Sequence, residues 1–270
     1  MRPGRWEAAA PEWGRNRLLA LVAGVAVVGL LLVVGLALAV VSALHRTGRG
    51  PAAARPPAAA AAAHGSVRAE QDALAAAPMP AGDLSAAQPT PVSTRDPGVI
   101  VLPDGTATGP AGVPTGFPQT PEGALAQLAA LDRVSLQSGT VGGVRAVIRG
   151  WAATGGPDAE TWSMVEGMAN FLTAAGLSGG GSPQLAIVAT PLMGLIKGHV
   201  GDDFAVVCVV FEVDATLQET RRVAVTHCQR MVWQGRRWLV GPGPEPAPGP
   251  AAWPDSDLAV RYGYRDLRHG

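Results

Sequence analysis

Apolar residues along this chain follow three rhythms. From position 18 to 44 they run without a charged residue, from about 121 to 174 they recur every three or four positions, and beyond 184 they form short runs between turn residues. The first rhythm predicts a membrane span, because its 27 residues as a helix reach roughly 40 Å, more than a bilayer core of about 30 Å. A buried soluble helix seldom stays apolar on every face for so long. A cleaved signal peptide is the other rival, but its apolar region runs to only about 7–15 residues and ends at small side chains, whereas this segment leaves through Leu44, His45 and Arg46. The span is therefore read as an uncleaved anchor at 18–44, after a short N-terminal segment at 1–17.

The second rhythm predicts helices. Thr120 can cap, Pro121 suits the first helical position and Glu122 lies favourably against the helix dipole. Leu125, Leu128, Leu131 or Asp132, and Val134 then make a stripe, with the helix ending near Ser138 and Gly139. A shorter helical segment carries Val147, Ile148 and Trp151. A third helix is predicted from a cap at Asp158, with Trp162, Val165, Ala169 and Leu172 on one side and Gly176 as its stop.

The third rhythm predicts strands at 184–189, 192–200, 204–213, 222–233 and 237–240. Pro191 and Gly194 make the first two either separate strands or one bent, bulged edge strand. Helices followed by an antiparallel meander argue for an α+β roll, a curved sheet wrapped on helix. A hairpin centred near residue 218 would set Cys208 opposite Cys228, which permits a disulfide across the two strands, the alternative being two buried free thiols.

Composition fills in the remainder. Gly (35) and Pro (24) together exceed a fifth of the 270 residues, too many for regular structure throughout. They crowd into 45–115, read as a disordered Ala/Pro/Gly-rich tether, with a transient helix allowed at 58–77 and an edge strand at 99–102. The domain proper is placed at 116–240. Beyond it, 241–270 is read as a proline-rich strap and tail, a stiff arm with a short helix at 257–268, in which Trp253 offers itself as an apolar anchor for a partner.

The formal charge is zero, so no global field recruits nucleic acid. Arg221, Arg222, Arg230, Arg236 and Arg237 form the densest basic cluster, read as solvated strand edges, with Arg230, Arg236 and Arg237 as candidate partner contacts. Arg2, Arg5, Arg15 and Arg17 before the span against Arg46, Arg49 and Arg55 after it nearly tie the positive-inside rule. An oxidised cysteine pair would favour a cytoplasmic N-terminus and an outer C-terminal domain.

The search for chemistry is largely negative. Gly176, Ser178 and Gly180 match the spacing of a nucleophile elbow, and Asp202 or Asp203 with His227 follow in hydrolase order. Such an elbow needs a strand before and a helix after, the reverse of the pattern here. His227 and Cys228 are consecutive on a strand and point to opposite faces, which argues against a metal shared with Cys208. Lys197, the sole lysine, lacks the glycine of a phosphate-binding loop. His199 and His227 are read as surface or partly buried hydrogen-bonding groups, and no His–Asp pair can be assigned. No cofactor or metal is expected, and the chain is read as a non-enzyme.

Three stretches carry a resemblance: Gly116-Phe117-Pro118-Gln119-Thr120-Pro121-Glu122-Gly123-Ala124, Cys228-Gln229-Arg230-Met231-Val232-Trp233 and Gly241-Pro242-Gly243-Pro244-Glu245-Pro246. With the order of anchor, tether and outer domain, they resemble actinobacterial single-pass scaffold subunits of conjugation and type IV secretion systems. The resemblance implies a cystatin-like roll of the nuclear-transport-factor-two type. It also implies a non-enzymatic assembly role at the cell membrane, with the bilayer, other subunits or further copies of the chain as partners. The alternative is an envelope module holding a small ligand or cell-wall fragment in the cone of the roll; a serine hydrolase ranks third.

Overall fold

The structure is a computed structural model that describes residues 57–270; the expected segments at 1–17 and 18–44, and the start of the tether, lie outside the described residues. Among the described residues no helix is long and apolar enough to cross a membrane.

The core is a mostly antiparallel sheet curled into a half-barrel. Its long strands are β4 (Ala186–His199), β5 (Phe204–Thr216) and β6 (Thr220–Gln234), followed by β7 (Arg237–Val240). Two further strands, β1 (Val99–Leu102) and β8 (Arg265–His269), complete the order β1-β8-β4-β5-β6-β7, with β1 and β8 parallel. A separate two-stranded ribbon joins β2 (Ala107–Thr108) to β3 (Pro114–Thr115).

Helix α1 spans Pro57–Ala76, α2 Pro121–Gln137, α3 Val141–Trp151, α4 Ser163–Ala174 and α5 Asp257–Arg261. The start of α2 follows its local chemistry: Thr120 Oγ1 accepts the Gly123 N–H at 3.1 Å, and Pro121 opens the first turn. Leu125, Leu128 and Leu131 are fully buried, as the stripe requires. Helix α2 touches β1, β4, β5, β6 and β7. One helix reaches so many strands only because the sheet curls about it. Gly194 allows the closest approach, since a Cβ there would stand 2.9 Å from side-chain carbons of both Leu125 and Leu267.

The expected α+β class is found, with helices α2, α3 and α4 preceding the long strands of a curled sheet. The stretch with Pro191 and Gly194 is one strand, bulged at Pro191/Met193 and Ile196/Gly198, and it is not an edge, because β8 pairs with Met193 and Gly194. Helix α4 begins at Ser163, not at Asp158. Asp158 instead caps a preceding turn, accepting the N–H groups of Glu160 and Thr161.

Two expectations are corrected. The tether read to residue 115 is built into the domain over its described part. Ala75 is buried against Phe204 and Val206, the Lys197 ammonium donates to the Ala75 and Ala77 carbonyls at the end of α1, and Ile100, Leu102 and Val113 join the main core. Cationic capping of the last carbonyls is favourable at a helix C-terminus. The C-terminal region is likewise no free arm. The strap folds back across β6, α5 follows, and the tail expected to be helical becomes β8, inserted between β1 and β4. Gly249 marks its closest approach, where a Cβ would lie 2.7 Å from Thr226 Cγ2 and 2.9 Å from Cys228 Sγ.

Cys208 and Cys228 stand opposite each other on β5 and β6 and form a disulfide. The bond closes a loop with a sequence separation of 20, for which the chain-entropy relation gives about 3 kcal/mol. Replacing both cysteines by alanine should therefore lower the unfolding free energy by about 3 kcal/mol. Guanidinium titration of the oxidised protein, the reduced protein and the variant checks this, with the last two expected to fall together.

Candidate functional site

The period-two geometry of β6 sends His227 and Gln229 to the inner face and Cys228 to the outer one. On α2, the stripe carries Asp132 inward beside Leu128 and Leu131. These two elements bring a carboxylate and an imidazole together in the core: Asp132 is fully buried and His227 is 8% exposed. His227 Nδ1 lies 3.0 and 2.9 Å from the two Asp132 oxygens. The start of α4 supplies Trp162, edge-on to the imidazole with ring centroids 5.8 Å apart, and the exposed Ser163, whose Oγ is 3.4 Å from His227 Nε2.

Gln229 and the strap complete the cluster. Gln229 Nε2 donates to Glu245 Oε1 at 3.1 Å and lies 3.1 Å from His227 Nε2. Glu245 Oε1 also accepts the Ser163 N–H at 3.0 Å. In the neutral ring the proton then sits on Nδ1, toward Asp132, and Nε2 accepts from Gln229. A hollow of about 390 Å³ opens in front, lined by Ser163, Met164, Val225, His227, Glu245 and Pro248.

Burial opposes charging of His227, but the carboxylates of Asp132 and Glu245 prevail and hold its pKa above the ordinary imidazole value. Burial pushes the Asp132 carboxyl up, against the pull of the imidazole. The pair thus shares one proton tightly inside a low-dielectric core.

Serine, histidine and aspartate in this relation have the outline of a nucleophilic triad. Two features set it apart from one. The Nε2 lone pair that would receive the serine proton is taken by Gln229, at a shorter distance than Ser163. The Glu245 carboxylate occupies the first N–H of α4, where an oxyanion would need a donor, and its charge would repel one. As it stands, the cluster ties four elements together: α2 through Asp132, α4 through Ser163, β6 through His227 and Gln229, and the strap through Glu245.

The sequence-derived candidates disperse. Ser178 lies in the loop after α4, where its carbonyl accepts the Gly181 N–H; His227 meets Ser163 instead. Cys208 and Cys228 have given up their thiols to the disulfide and share no metal with His227, and among the described residues no group of metal-ligating side chains occurs. His199 bonds the Gly201 carbonyl at 3.0 Å.

Trp253, expected as a free anchor, is buried in the outer core beneath the Arg222 guanidinium, because the strap returns to the sheet. Arg230, expected at the surface, is also buried. It pairs with Asp72 of α1 at 2.7 Å and lies over the Phe204 ring. Arg222 pairs with Glu212 and Asp214. Arg236 is exposed in the last hairpin turn, and Arg237, half-buried, covers Trp151. The sequence reading missed Asp132, Ser163, Gln229 and Glu245. The available signal was a charged residue inside an apolar helical stripe, and His227 and Gln229 two apart on one strand.

A histidine with a raised folded pKa binds its proton more tightly in the native state than in the unfolded chain. Its stabilising effect is complete below an unfolded value of about 6.5 and fades as pH rises through the folded value. Urea unfolding of the native chain should therefore show stability falling as pH rises above about 6.5, more steeply than in His227→Gln. The same substitution leaves Asp132 buried without its partner and should cost roughly 3–5 kcal/mol near neutral pH. Glu245→Gln should raise amide hydrogen exchange over 241–256 while sparing β5. No protein-family model, curated protein or solved structure matches this chain.

Proposed function

We propose that this chain is a single-pass membrane protein whose extracytoplasmic domain, a cystatin-like roll, is a scaffold subunit of a conjugative transfer or type IV secretion-like apparatus. It works by position and protein contact, without catalysis. The observation that carries this reading is the filled interior of the half-barrel. Trp151, Trp162, Trp238, Leu125, Leu128 and Leu131 are all less than 2% exposed. They occupy the space in which a ligand-holding roll would keep its cavity.

Three features support the setting. The charge-free run at 18–44 is long enough to anchor the chain in a bilayer. The Cys208–Cys228 bond suits an oxidising compartment. The three sequence stretches resembling conjugation scaffolds include the strand that bears Cys228 and Gln229 and the strap that bears Glu245. The cluster at His227 fits the same role, because it fixes the strap against the sheet and so fixes the outline presented to neighbouring subunits.

Deleting the chain from a donor strain should abolish transfer of the mobile element. The full chain and Ser163→Ala should both restore it, and a chain ending at 240 should not. Unimpaired transfer in the deletion strain would overturn the scaffold reading, and failure of Ser163→Ala alone would point to the hydrolase instead.

A further inference from the structure

We propose that the open edge of β1 is a strand-addition site for an extended, apolar, base-flanked segment of a partner protein, which continues the sheet across a subunit boundary. The proposal takes its setting from the scaffold reading. Its substance is the hydrogen-bond pattern of one strand.

Asp266 N donates to the Gly98 carbonyl at 3.0 Å and Gly270 N to the Leu102 carbonyl at 3.2 Å. With Val99 opposite Asp266 and Val101 opposite Arg268, the parallel ladder uses the backbone groups of Gly98, Ile100 and Leu102. The N–H and C=O groups of Val99 and Val101 point the other way. Among the described residues no backbone group meets them, and no strand lies beyond β1. Their side chains are 41% and 56% exposed, while Ile100 and Leu102 are buried in the main core. The edge is therefore already extended and held, so an incoming strand bears only its own ordering cost.

A second copy of the chain fits this edge badly. Antiparallel self-pairing can satisfy both outward residues in one register, with Val99 opposite Val101 of the other copy, twice. Sliding it either way sets an outward valine against Pro97 or Pro103, neither of which has an N–H to give. In the one workable register the end bearing Asp96 meets the end bearing Asp104, also twice. Both carboxylates are exposed. Asp96 Oδ1 accepts the Gly98 N–H at 2.8 Å, and Asp104 lies 3.9 Å from His269 Nδ1. Like charges facing each other at both ends guard the edge against its own kind.

The same charges select a partner. Because β1 has a carboxylate at each end, a strand carrying Lys or Arg on both sides of a short apolar stretch finds complementary charge whichever way it runs. Arg268 lies beside Val101 but one strand further in. A strand of four residues lying between Pro97 and Pro103 makes a short site, suited to an assembly held by several weak contacts in parallel.

The test places a photo-crosslinking phenylalanine at Val101 in the full chain, irradiates intact cells and maps the adduct by mass spectrometry. The proposal expects adducts on an extended segment of another protein, apolar and flanked by Lys or Arg, with yield falling several-fold in Asp96→Lys/Asp104→Lys. Circular dichroism of the variant should be unchanged, since both positions are exposed. No adduct, adducts confined to a second copy, adducts on a helix, or a yield indifferent to the two lysines would each overturn it. A base-flanked strand from a protein outside the transfer machinery would uphold the edge and remove the transfer role. Transfer lost on deletion without such an adduct would do the reverse.

Discussion

The structure depends on the burial of β5 from both sides. Ala205, Val207, Val209 and Phe211 face α2, while Phe204, Val206, Cys208 and Val210 face outward and are buried just as completely. An antiparallel strand in a small domain ordinarily keeps one face wet. Here the outer face is apolar, and water must be kept from it by other parts of the chain. Helix α1 covers one end, over Phe204 and Val206, and the strap with Trp253 and Tyr264 covers the other, over Cys208 and Val210. Segments that look like linker and tail by composition are the second wall of the core. Burying a residue such as Val or Phe is worth about 1.5–3 kcal/mol, and each one on this face offsets part of the cost of ordering the segments that cover it.

That second wall explains what the sequence disclosed and what it withheld. Helix α2 was legible because its cap, its proline and its leucine stripe are local signals. The hairpin of β5 and β6 was legible from two long β-branched runs about a short turn, and the cysteine register followed from it. Strand β8 was not, because Arg265-Asp266-Leu267-Arg268-His269 has neither β-branched residues nor a clear alternation; only neighbours on both sides make it a strand. Trp253 reads as a free anchor because proline-rich stretches are commonly extended and exposed, and nothing local says that this one turns back. The unbroken run Phe204-Ala205-Val206-Val207-Cys208-Val209-Val210-Phe211 was the available hint, since such a run implies cover on both faces.

The candidate site was legible only in part for the same reason. His227 and Asp132 are 95 residues apart, and their meeting depends on how far the sheet curls about α2. A carboxylate in an apolar stripe is costly unless it finds a partner, so Asp132 implied that some donor must be near it without saying which. Glu245 depends on the return of the strap and so on the two-sided core. The polar cluster and the outer wall are therefore coupled: the Glu245 carboxylate reaches Ser163 and Gln229 only while the strap lies on β6, and the strap lies there because Cys208, Val210 and Trp253 exclude water beneath it.

The coupling also bears on which edge of the sheet stays open. At the β7 end, the chain enters the strap directly, and Ala153 N donates to the Val240 carbonyl, so that edge is partly closed by the domain itself. At the β1 end, the last strand laid down, β8, inserts between β1 and β4 and displaces β1 outward. Had the tail remained the free arm that its prolines suggest, β1 would have no strand to pair with and no ordered edge to offer. The returning strap that buries the outer face of β5 thus also sets β1 as the rim of the sheet, with its prolines limiting the exposed ladder and its two aspartates setting the sign of whatever completes it.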